Sequence, residues 1–195
     1  MLKKIISFLK NINSSKNEFF GEVYFHEEFF RQIELFPAEN SKYFQIENKQ
    51  IEDFREIHSD ENGLSNAIYT IEGSEIVEIS EKKILVTEVE TILLNYGLNK
   101  IESVFSGYIP NNYKCENIIV FKYENSEIFI EFENEFIKHI YLNQFRFQEK
   151  EEIKIRLQEI LHEIGIKFNL ILNDWNLTEM INLKEKKDIE KYLNE

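Results

Sequence analysis

The sequence predicts an α+β protein with a mostly antiparallel sheet, and three observations carry that assignment. Three strand-like runs, Asn117–Tyr123, Glu127–Glu133 and Glu135–Leu142, follow one another across gaps too short for anything but hairpins, which makes a β-meander in the C-terminal half. Two segments, Val89–Tyr96 and Ile153–Ile164, repeat apolar residues at helical spacing. Strand signals are grouped into runs with helices between the groups, whereas a parallel α/β sheet alternates them one for one. The material for a core is present: 43% of the 195 residues are hydrophobic, including 17 Phe and 9 Tyr. Only 6 Gly and 2 Pro, with no Gly/Ser- or Pro-rich linker, point to one α+β domain over residues 1–195. A seam near residues 80–85 would divide it into two packed halves.

The N-terminus places Leu2, Ile5, Ile6, Leu9 and Ile12 at helical spacing. Its apolar run from Ile5 to Leu9 stops at Lys10, short of the about 7–15 residues of a signal peptide's core and the about 20 of a membrane span. A short amphipathic helix is expected, docking on the body, on a partner or on a membrane surface. Phe19–Phe25 reads as a strand and Phe29–Phe36 as its hairpin partner, turning at His26-Glu27-Glu28 and ending at Pro37. The six aromatics Phe19, Phe20, Tyr24, Phe25, Phe29 and Phe30 are either buried on both faces of that hairpin or a protein-contact patch. A helix over 40–57 carries Phe44, Ile51, Phe54 and Ile57 on one face and closes in the turn Ser59–Gly63.

Short strands are expected at Ala67–Ile71 and Ile76–Ile79. Thr87 and Glu90 form a capping-box pair for the next helix, and Gly97 stands where a left-handed cap belongs. Ile101–Tyr108 reads as one strand before the meander. Within the meander Ile128, Ile130 and Phe132 alternate with Phe129, Glu131 and Glu133, so one face is expected to be buried and the other largely wet. A helix over 150–164 would be stopped by Gly165, followed by a strand at Phe168–Leu172 and a terminal helix at Asp188–Leu193.

Local signatures of chemistry are missing. The glycines are scattered, so there is no phosphate-cradling loop, and no Gly-x-Ser-x-Gly elbow occurs. His162-Glu163 opens like a zinc-protease helix, but position 166 is Ile. His162 and His139 read as structural histidines, and the single cysteine, Cys115, as a structural thiol. One cysteine permits no intramolecular disulfide, which suits a reducing cytoplasm. With 36 acidic residues, carboxylate pairs have no diagnostic value. No catalytic residue, cofactor or metal ion is expected, and an enzyme would have to assemble its site from distant residues.

The charge is more informative. The 36 acids outnumber 23 basic residues, for a net −13. That balance argues against nucleic acid, whose phosphates need clustered cations. Residues 1–17 hold four lysines and no acid, which leaves −17 on the other 178. A field of that sign speeds encounter with a basic protein partner. The phrases Phe20-Gly21-Glu22-Val23-Tyr24-Phe25-His26 and Ile33-Glu34-Leu35-Phe36-Pro37 resemble openings of bacterial immunity proteins from polymorphic-toxin or contact-dependent growth inhibition systems. That resemblance implies a cytoplasmic inhibitor that binds a cognate toxin domain, in many cases a nuclease with a basic cleft. Under it, Glu124, Glu127, Glu131, Glu133 and Glu135 are the candidate contacts. The alternative is a scaffold subunit of another bacterial assembly, docking through the N-terminal helix and the aromatic hairpin.

Overall fold

The computed structural model describes residues 22–25, 32–60, 67–70, 76–101, 103–107, 113–146 and 148–194. They form an α+β fold: ten strands and four α-helices among the described residues. The strands are β1 (Glu22–Phe25), β2 (Ile33–Pro37), β3 (Asn99–Ile101), β4 (Ser103–Ser106), β5 (Tyr113–Lys114), β6 (Ile118–Tyr123), β7 (Ser126–Glu133), β8 (Phe136–Asn143), β9 (Leu170–Asp174) and β10 (Glu179–Ile181). The helices are α1 (Ser41–His58), α2 (Val86–Asn95), α3 (Glu151–Phe168) and α4 (Lys186–Asn194). A seven-stranded antiparallel sheet runs β10-β9-β2-β8-β7-β6-β3, and a smaller mixed sheet runs β1-β4-β5. No helix among the described residues is long and apolar enough to cross a membrane.

The predicted meander is present as β6-β7-β8, and its inner face is the wall of the main core. Phe121, Ile128, Ile130, Ile137, Ile140 and Leu142 join Leu157, Ile160, Leu161 and Ile164 of α3, Val89 and Leu93 of α2, and Ile189 and Leu193 of α4. Ile137 and Ile140 are three apart, which on a regular strand would put them on opposite faces. A bulge between Glu131/Phe132 and their partners makes up the difference: Glu131 pairs with His139 and Phe132 with Ile137, so Lys138 is the extra residue.

The outer face is covered along its apolar positions, while Lys122, Glu133 and His139 on it keep part of their surface exposed. Ile118 and Val120 of β6, Phe129 of β7 and Tyr141 of β8 bury against Val104 of the small sheet, with Ile101 and Cys115. Farther along the same face, α1 packs over β2 and β9. Phe44 meets Phe36 at a ring separation of 4.4 Å and Trp175 at 5.5 Å.

Several expected elements take another form. Among the described residues the expected hairpin pairing of Phe19–Phe25 with Phe29–Phe36 is not formed: Glu22–Phe25 (β1) pairs in parallel with β4, while β2 lies between β8 and β9. Periodicity shows that both segments are strands but says nothing about which edges they join. The span Ile101–Tyr108 is divided between two sheets, β3 pairing with β6 and β4 with β1 and β5. Ile76–Ile79 forms no strand, because the Asn40 side-chain amide takes both the N–H and the C=O of Val77 (2.9 and 2.8 Å). Residues 67–70 likewise lie outside any sheet, held to α1 by Tyr69, which donates to Glu47 and rests on Phe54.

On α1, Phe44 and Ile51 are buried as expected, but Ile57 is 76% exposed; the buried stripe is completed by Glu47 and Asn48. Helix α2 starts at Val86, so Thr87 is inside it, and Glu88 rather than Glu90 accepts from the backbone N–H that precedes the helix. Gly97 is left-handed (φ 79°), as expected. Gly165 does not stop α3; Asn169 does, in a left-handed conformation. The stretch 80–85 is stitched to β8, with Ile137 N–H donating to Ile84 C=O and Val86 N–H to Glu135 C=O. The N-terminal helix, residues 19–21 and 26–31, the turn residues 61–63 and Tyr108 lie outside the described residues.

Candidate functional site

The five acids singled out in the sequence fall at three places on the meander. Glu124 opens the β6–β7 turn in a left-handed conformation (φ 52°), half-exposed and 4.0 Å from Lys150. Glu133 and Glu135 flank the opposite turn, one eight-residue strand away, which is roughly 25 Å at the rise of a strand. There Asn134 and Glu135 both have positive φ (49° and 70°), the geometry of the tight hairpin turn that matches strand twist. Glu133 is 67% exposed and 3.6 Å from Lys138. Glu135 is exposed, and its carbonyl is pinned by Val86.

Glu127 and Glu131 lie between these ends on the outer face, on either side of the buried Phe129. Register sets the order. Lys122 of β6 is opposite Glu127, Glu127 opposite Asn143 of β8, Glu131 opposite His139, and Tyr141 opposite Glu34 of β2. The side chains bond across these rungs. Glu127 accepts from Asn143 (2.9 Å) and pairs with Lys122 (3.3 Å), and its side chain is only 13% exposed. The Tyr141 hydroxyl reaches Glu131 at 3.5 Å. His139 stacks on Tyr141, and its Nδ1 is 2.7 Å from the Oε1 of buried Glu34. Glu127 and Glu131 are therefore each tied to neighbouring strands in separate polar groups, whereas Glu133 and Glu135 are exposed at the turn.

The Glu34–His139 contact spans 105 positions and no local motif marks it. A carboxylate against one imidazole nitrogen fixes the orientation of the ring. The thiol on the same face is a poor nucleophile. Cys115 is buried, and burial, with the Glu131 charge second, pushes its pKa above the ordinary thiol value. His162, the other histidine weighed, meets the Leu183 carbonyl through Nδ1 (3.0 Å), a structural contact. Among the described residues no group of three or more His, Cys, Asp or Glu is placed to hold a metal ion.

A second polar centre, without a sequence motif, lies at the end of β9. Asp174, fully buried at the end of β9, accepts at Oδ1 from the N–H groups of Asn176 and Leu177, closing an Asx turn toward β10. Its Oδ2 accepts from the Tyr192 hydroxyl of α4 (2.9 Å), with Arg146 at 3.6 Å. Burial first, then the Asp174 charge, raises the Tyr192 pKa far above the ordinary phenol value. This centre ties β9, β10 and α4 together; the only local signal for it was the turn chemistry of Asp174-Trp175-Asn176. Comparison with protein-family models, with curated proteins and with solved structures finds no match to the chain, so function has to be read from these sites and from the charge they sit in.

Proposed function

We propose that this chain is a non-catalytic acidic binding protein, an immunity protein that binds and blocks a cognate bacterial toxin domain, a nuclease being the toxin class its charge suits best. The observation that carries the reading is the acid turn Glu133–Glu135. Two exposed carboxylates stand on a hairpin whose backbone is pinned to Ile84 and Val86 and whose strands are buried on both faces. Charge held on a rigid element loses little freedom on binding, and here it adds to a body carrying an excess of acid. A basic cleft built for phosphates is the complementary surface. The expectation of a cytoplasmic location belongs to the same proposal.

The test is co-expression with the C-terminal domain of a toxin encoded beside this gene. Protection of the cells and a co-purifying complex are expected, with affinity falling as salt rises. Reversing the turn charges in Glu133→Lys/Glu135→Lys should weaken the complex by roughly tenfold or more, the size of effect that misplaced interface charges produce. Neither protection nor a complex would sink the reading.

A further inference from the structure

We draw no further inference here: the strongest candidate, the groove at the β10 edge of the large sheet that Glu52 and Asp53 of α1, Glu179 of β10 and Asp188 of α4 line, is a cluster of acids with no second feature among the described residues that points to a ligand, the buried Asn48 beside it being taken up by its amide pair with Asn173.

Discussion

Gly165→Ala tests how the last turn of α3 meets the segment before α4. By helix propensity alone, alanine should stabilise a helical glycine by about 1 kcal/mol. The tertiary contact opposes that gain. A Cβ at position 165 would lie 2.2 Å from the Leu183 Cβ and 3.0 Å from both the Leu183 carbonyl carbon and oxygen. Ordinary contact begins at 3.4 Å, so helix and segment would have to part by about 1.2 Å. No rotamer change relieves this, because the opposing atoms are backbone or bonded directly to it. The segment is also held, since Leu183 is fully buried and its carbonyl meets His162.

Overpacking a core typically costs about 1–3 kcal/mol, and a clash with backbone belongs at the upper end. Offset by propensity, the net loss is about 2 kcal/mol. For a chain of this size that lowers Tm by roughly 4–8 °C, and it should move the urea midpoint with an unchanged slope. Leu183→Ala keeps the Cβ, so adding Gly165→Ala to that background should cost nearly as much as it does alone. A Gly165→Ala protein as stable as the parent, or one whose loss Leu183→Ala suppresses, would refute the close-approach account.

The remaining predictions concern the buried phenol and the thiol. Tyr192→Phe removes the 2.9 Å bond to buried Asp174 and should cost about 1.5–3 kcal/mol at neutral pH, read from urea titrations. Because the folded-state pKa of Tyr192 is raised above the ordinary 10.0, its contribution is complete below about pH 10 and is lost as pH rises beyond it, where only the unfolded chain gives up the proton. The variant should therefore lack part of the parent's alkaline loss of stability; identical pH slopes between 9 and 11 would contradict the burial account. For Cys115, burial and the protonated thiol should make iodoacetamide labelling at about pH 8 at least tenfold slower in the native protein than in urea. Equal rates would place the thiol at the surface.

Much of the local structure is legible in the residues because local structure depends on near neighbours. Apolar spacing is enough to find α1, α3, β7 and β8, and the left-handed Gly97 follows from its place after an apolar stripe. Other features depend on segments far away in the chain. Gly165 has the identity of a helix stop, yet its lack of a side chain serves the approach of Leu183. Val77 sits in a strand-like run but gives its backbone bonds to Asn40. Phe129 shows only that β7 has a second apolar face, not that the small sheet covers it. The candidate site follows the same division: the exposed acids of the meander can be named from the sequence, whereas Glu34 beside His139, and Asp174 beneath Tyr192, come from pairings 105 and 18 positions apart.

By itself, then, the sequence determined an α+β protein built around an antiparallel meander, with a strongly acidic body. Only the tertiary structure decided which strands are neighbours, which face β1-β4-β5 covers, and that acids from α1, β10 and α4 converge on one groove. The physical reason is that side-chain periodicity encodes which face of an element avoids water, while the choice of the element that covers this face is made by packing between distant parts of the chain.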